Sequence, residues 1–177
     1  MTEPLERDRP VSGADLAGFP AGVRRVTAAA GETEQLGETL AVGLVAGDVV
    51  VLTGPLGSGK TCFVAGLARG LGAGSRVRSP SFTLLNEYRG ALMLRHLDLY
   101  RLEGPEVVGL GLEELVDDGV LVVEWGEKLP AWLGEEALTL VFEVLSEHER
   151  AVTASAAGER GGELLAVWEL MPAGEAR

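Results

Sequence analysis

The sequence predicts an α/β fold: a three-layer α/β/α arrangement around a mostly parallel central sheet, with a β-hairpin insertion and C-terminal antiparallel strands. Three observations predict it. Two continuous apolar runs, Val49-Val50-Val51-Leu52 and Val120-Leu121-Val122-Val123, have the composition of parallel strands covered on both faces. A glycine-rich turn and a helix-forming segment follow the first run directly. The remaining segments of the 177-residue chain switch between helical and strand patterning with no internal repeat and no linker, as in one domain.

Residues 1–22 lack periodicity and hold Pro4, Pro10, Pro20 and three glycines, so a flexible tail is expected there. A single domain is expected over 23–172, with a C-terminal tail at 173–177. Val23 to Ala28 reads as a short strand. Glu32 to Val45 places Leu36, Leu40, Val42, Leu44 and Val45 at near-helical spacing, and Gly47-Asp48 ends that helix. A second helix runs from about Gly59 to Leu71 and is stopped by Gly72 and Gly74. Arg76 to Pro80 is a loop. Phe82 to Tyr88 and Ala91 to Leu97 form a hairpin about Arg89-Gly90. Pro105 opens a helical stretch to about Val116, Asp117-Asp118-Gly119 turns, and the second buried strand ends at Glu124-Trp125. Glu127 to Leu133 reads as helical. Ala137 to Leu145, Arg150 to Ala156 and Leu164 to Leu170 read as a terminal β-meander.

Composition narrows the function classes. Hydrophobic residues are 46% of the chain, and no apolar run approaches the roughly 20 residues of a membrane span. Residues 1–20 mix acids and bases without an apolar stretch, unlike a secretory signal, and Cys62 is the sole cysteine. A cytoplasmic protein without a membrane partner is expected. The net charge of −12 disfavours direct binding to DNA. The charge is uneven, however. From Lys60 to Arg101 there are seven bases and two acids, whereas Leu102 to Arg177 carries 17 acids and four bases. That basic middle is either a solvated face or a surface that meets phosphates or an acidic partner.

Gly54-Pro55-Leu56-Gly57-Ser58-Gly59-Lys60-Thr61 fits G-x-x-x-x-G-K-[ST]. In that pattern glycines let successive backbone N–H groups point at phosphate oxygens, and the following helix N-terminus favours an anion. Lys60 supplies a cation for the β- and γ-phosphates, and the Thr61 hydroxyl is a hard ligand for Mg²⁺. A chance glycine-rich turn would also fit the pattern. The strand before it and the helix after it give the context that phosphate binding requires, so the expected class is P-loop NTPase-like.

Four further segments carry chemistry. Glu124, ending a buried strand, suits a second Mg²⁺ ligand, direct or through water, or is an ordinary strand-end glutamate. His96-Leu97-Asp98-Leu99-Tyr100-Arg101 ends another strand. There Asp98 can orient an attacking water or bind the metal through water and Arg101 can neutralise phosphate charge, or the segment is a capped strand end with a salt-bridged Arg. His96 reads as a packed or surface residue rather than a ligand. Arg78-Ser79-Pro80-Ser81-Phe82-Thr83 is either a γ-phosphate sensor or a simple turn. Trp125 can stack on a base or a partner, but also suits the core. Cys62, one turn into the helix, suits packing rather than reaction.

Together these segments resemble the TsaE (YjeE) family, the ATPase component of bacterial tRNA threonylcarbamoyladenosine (t6A) biosynthesis. The resemblance runs from about Thr27 to Leu170. Its landmarks are Glu34-Gln35-Leu36-Gly37-Glu38, the P-loop, Ser79-Pro80-Ser81-Phe82-Thr83, His96 to Leu102 and Val123-Glu124-Trp125. It implies that Gly54, Gly57, Ser58, Gly59, Lys60, Thr61 and Cys62 bind ATP, with Arg150 approaching the nucleotide. Thr61 and Glu124 would hold Mg²⁺, and Lys60, Asp98 and Glu124 would serve hydrolysis. The Ser79 to Thr83 loop would act as a switch. The implied partners are the TsaD–TsaB complex, with tRNA reached indirectly through it, and activity alone would be weak or absent. The chain departs from the family pattern where Ser81 replaces a commoner threonine, Cys62 a frequent second threonine and Pro55 a common acid. Two other readings stay open: a P-loop kinase for a small molecule or nucleotide, and a nucleotide-gated binding module without significant hydrolysis.

Overall fold

The computed structural model describes residues 22–74 and 76–171. The expected tails, 1–22 apart from Gly22 and 173–177, lie outside the described residues. One seven-stranded sheet organises the chain: β1 (Val23–Thr27), β2 (Val49–Thr53), β3 (Leu85–Arg89), β4 (Met93–Asp98), β5 (Gly119–Glu124), β6 (Leu138–Val144) and β7 (Arg150–Ala156). The strand order is β1-β7-β6-β2-β5-β4-β3. The four middle strands, β6-β2-β5-β4, pair in parallel. Both edges are antiparallel, through the β3–β4 hairpin on one side and through β7 and β1 on the other.

The central strands are buried because helices cover both faces. On one face α1 (Ala30–Leu40), α2 (Lys60–Gly70) and α6 (Gly158–Leu170) pack Leu40, Phe63, Leu67, Leu164 and Trp168 against Val50, Leu52, Val120 and Val122. On the other, short helices α3 (Gly104–Val108), α4 (Leu112–Val116) and α5 (Ala131–Gly134) set Val107, Leu112 and Leu133 over Val49, Val51, Leu121 and Val123. Strand residues of opposite parity thus feed separate cores, as the two-residue repeat of a strand requires. The three-layer expectation holds.

Three element readings are corrected. Leu164 to Leu170 is not a third C-terminal strand but part of helix α6, so β6 and β7 are followed by a helix rather than completing a meander. Gly161, Leu164 and Trp168 are its buried residues. Their spacing of three and four is helical, and the apolar run Leu164-Leu165-Ala166-Val167-Trp168 hid it. The Pro105 to Val116 stretch is two helices, broken where Gly111 takes φ +63°. Glu127 to Leu133 divides into a 3₁₀ turn at Gly126–Lys128 and α5.

Helices α1 and α2 meet backbone to backbone. A Cβ on Gly66 would lie 1.8 Å from Glu34 O, and one on Gly37 would lie 2.2 Å from Phe63 O. This close crossing fixes α2, and with it the loop at its N-terminus. At the far side Asp48, just before β2, takes Arg160 of α6 through both carboxylate oxygens at 2.7 Å and accepts Val45 N–H at 2.7 Å. Arg160 also donates to Gly43 O at 2.7 Å.

Candidate functional site

Residues 54–59 form a loop between the C-terminal end of β2 and the N-terminus of α2. Gly54, Gly57 and Gly59 adopt φ of +133°, +75° and +102°, the left-handed region that side chains disfavour. Gly54 is doubly constrained, because a Cβ there would sit 2.4 Å from Phe142 O of β6. The loop thus presents the first turn of α2, whose N–H groups lack helical partners and favour an anion. Ser58 is fully buried, and its hydroxyl has no partner among the described residues.

Lys60 opens α2 and is nearly buried. Its ammonium donates to Gly54 O at 2.8 Å and Pro55 O at 3.0 Å, and stands 4.8 Å from the Trp125 ring centroid. Burial pushes its pKa down, while Glu124, Glu127 and Asp98 act to raise it. Thr61 Oγ1 donates to Glu124 Oε1 at 2.7 Å, and His96 Nε2 lies 2.9 Å from the same oxygen. Burial works against the charged Glu124, yet hydrogen bonds from His96 and Thr61 and the nearby Lys60 ammonium outweigh it. The carboxyl is therefore held below its ordinary range.

Asp98 sits beside Glu124: the two are Cα partners at the ends of β4 and β5. Asp98 Oδ2 accepts Ser81 Oγ at 2.7 Å and Ser79 Oγ at 3.4 Å, and its Oδ1 accepts Tyr100 N–H at 2.9 Å. The Ser79–Thr83 loop is thus tied to a candidate catalytic carboxylate. That tie was not legible from the sequence, where the segment read as a γ-phosphate sensor or a simple turn. An open cleft of about 510 Å³ joins Leu56 to Cys62, Ser79, Ser81, Asp98, Tyr100, Arg101, Glu124 and Trp125.

The remaining candidates fall nearby. Arg150 donates to Ser146, Glu147 and Glu149 carbonyls, and its Nη2 lies 3.4 Å from Gly57 O. With His148, Thr33, Gly59 and Cys62 it lines a second cleft, about 470 Å³, across the loop from Asp98 and Glu124. Cys62 Sγ donates to Ala30 O at 3.1 Å, and burial together with Glu34 pushes its thiol pKa up. Trp125 takes φ +60° and packs on Tyr100 at 5.0 Å. Arg101 lies over Phe82 at 4.5 Å. Of the basic middle, Arg69 pairs with Glu34 and Glu38, and Arg95 with Glu87 and Asp118. Arg76, Arg78, Arg89 and Arg101 stay exposed.

A strand-loop-helix phosphate cradle at the C-terminal end of a parallel sheet, with a lysine and a threonine opening the helix, defines a nucleotide-binding protein of the P-loop NTPase class. Comparison with known proteins narrows this further. The family model described as "Threonylcarbamoyl adenosine biosynthesis protein TsaE" matches residues 27–152, and the chain belongs to that family. It is 44% identical over 133 residues to the Treponema pallidum tRNA threonylcarbamoyladenosine biosynthesis protein TsaE, covering 74% of this chain and 98% of that protein. The Bacillus subtilis protein of the same name is 41% identical over 131 residues, covering 73% and 82%. The crystal structure of Bacillus subtilis YdiB superposes with a TM-score of 0.70 at 35% identity, covering 83% of this chain and 93% of that one.

Proposed function

We propose that this chain binds ATP with Mg²⁺ and hydrolyses it in support of t6A formation at position 37 of tRNAs reading codons that begin with A. It acts in the cytoplasm with the TsaD–TsaB complex, which carries the tRNA. Family membership supports the pathway. The observation that carries the chemistry is the convergence of Lys60, Thr61, Glu124 and Asp98 on one cleft beside the glycine loop. The loop amides and the Lys60 ammonium would neutralise the triphosphate. Among the described residues Lys60 hydrogen-bonds two backbone carbonyls and no carboxylate, so it can exchange those bonds for phosphate oxygens without leaving a buried partner charged.

The donor set suits Mg²⁺. The cation prefers a carboxylate, a hydroxyl, phosphates and water to a dedicated protein cage. Thr61 and Glu124 supply the first two 2.7 Å apart, and the described residues hold no cluster of three or more His, Cys, Asp or Glu that would form a cage. Bound there, the ion would draw charge from the β- and γ-phosphates. Asp98, beside Glu124, would hold and orient the attacking water, and the Ser79–Thr83 loop would report on that site through Ser81. The second cleft, flanked by Arg150, offers room for the base and sugar.

A kinase reading would need a cationic lid. The segment between Leu102 and Trp132 carries one base, Lys128, and its ammonium is spent on Tyr100 O and Leu102 O at 2.9 and 2.8 Å. Calorimetry with Mg·ATP, followed by phosphate release with and without the TsaD–TsaB pair, tests the proposal. Binding plus partner-stimulated release is expected. Absence of any Mg·ATP affinity would overturn it, and t6A formation that survives loss of turnover in Glu124→Ala would favour the binding-module reading.

A further inference from the structure

His96 is a buried titratable side chain in contact with this site whose chemistry the proposed reaction leaves unused. It stands on β4 between Asn86 of β3 and Val122 of β5 in the sheet register, two residues before Asp98, and is wholly excluded from solvent. Nε2 lies 2.9 Å from Glu124 Oε1, while Nδ1 is buried without a partner among the described residues. A proton on Nδ1 would be an unpaired buried donor, so the geometry assigns the Nε2–H tautomer. An apolar residue would fill this place without leaving a bare ring nitrogen, so packing alone does not account for an imidazole here.

We propose that His96 is a positioning residue that aims Glu124 at the metal, an inference that rests on the Mg·ATP reading above. Glu124 Oε1 receives two donors, His96 Nε2–H and Thr61 Oγ1–H. The single hydroxyl proton of Thr61 is thereby directed away from the cation site, leaving its lone pairs for the ion. Glu124 Oε2 receives no hydrogen bond from the described residues and is left for the metal or its water. Thr61 sits on a helix that must also receive the nucleotide. His96 sits on a central strand, so it supplies the anchor that stays fixed when nucleotide arrives.

The test uses the full chain and three variants. Asparagine places its amide near the Nδ1 position and glutamine near Nε2, so His96→Gln keeps the donor that His96→Asn and His96→Phe remove. Mn²⁺ affinity of the ADP-bound chain is read by electron paramagnetic resonance of free Mn²⁺. ADP affinity in EDTA is read by calorimetry, and folding by circular dichroism. His96→Asn and His96→Phe are expected to lose about 10–100-fold in Mn²⁺ affinity. His96→Gln should stay within about threefold of wild type, and all three should keep metal-free ADP affinity. Wild-type Mn²⁺ affinity in folded His96→Asn, equal loss in His96→Gln and His96→Asn, or parallel loss of metal-free ADP binding would each overturn the role. If wild type itself binds no Mn·ADP, the Mg·ATP reading falls and takes this one with it. If wild type binds and the variants match it, only the role of His96 falls.

Discussion

Asp98 and Glu124 stand side by side as Cα partners at the ends of adjacent parallel strands, each buried and each tied to a hydroxyl from a different segment. Asp98 is held by Ser81 of the following loop, and Glu124 by Thr61 of the phosphate loop helix. The two carboxylates should therefore separate by function. Glu124→Gln is expected to weaken Mg²⁺ affinity of the nucleotide complex by more than about 10-fold, the low end for losing even a group that only supports a metal ligand. Asp98→Asn should leave nucleotide affinity nearly intact while lowering partner-stimulated turnover by about 10²–10⁴. Calorimetry and phosphate release on both variants check this.

Ser81→Ala removes the 2.7 Å bond to Asp98. A hydrogen bond to a charged group contributes about 1.5–3 kcal/mol, and this one sits on a partly exposed loop, so the lower figure applies. Amide hydrogen exchange across residues 79–84 should accelerate about tenfold, with the global unfolding midpoint unchanged. Exchange that is unaltered would mean that the loop is held by its other contacts.

Gly66→Ala drives a methyl group into Glu34 O, a backbone atom that cannot rotate away. Overpacking of this kind costs about 1–3 kcal/mol, and the α1–α2 crossing should sit at the upper end. Denaturant unfolding measures the loss. Because the crossing aims the phosphate loop, ATP affinity should fall as well.

Asp48→Ala leaves Arg160 without its bidentate partner and Val45 N–H without an acceptor. Breaking a buried pair costs about 3–5 kcal/mol, and the partial exposure of Arg160 places this one near 3 kcal/mol. Chemical denaturation should show it, with nucleotide affinity of the folded fraction unchanged.

Cys62 should alkylate slowly at neutral pH. Burial and Glu34 raise its thiol pKa, so the thiolate fraction is smaller than that of an unperturbed cysteine, and the reaction should speed up only at higher pH. Iodoacetamide rates against pH, compared with a cysteine peptide, give the measurement. Nucleotide should slow the reaction further, since Cys62 borders both clefts.

The P-loop, Thr61, Glu124 and the layered α/β plan were legible because each depends on local rules. Apolar β-branched runs make buried strands, glycines supply left-handed turns, and a carboxylate at a strand end faces the cleft of a parallel sheet. The C-terminal helix was missed for a local reason as well. A helix with only Gly161, Leu164 and Trp168 buried carries a narrow apolar stripe, and the adjoining Leu165 and Val167 made it look like a strand.

Residue order alone thus pointed to the glycine loop, the Thr61 hydroxyl and the two candidate carboxylates, since backbone conformation and residue chemistry within a few positions define them. It left open the pairings that decide what these groups do. Thr61 meets Glu124 across 63 positions, Ser81 meets Asp98 across 17, and His96 meets Glu124 across 28. Those distances closed only when β2, β4 and β5 aligned in parallel register. Register is a property of the whole sheet and its two cores, so no local pattern carries it.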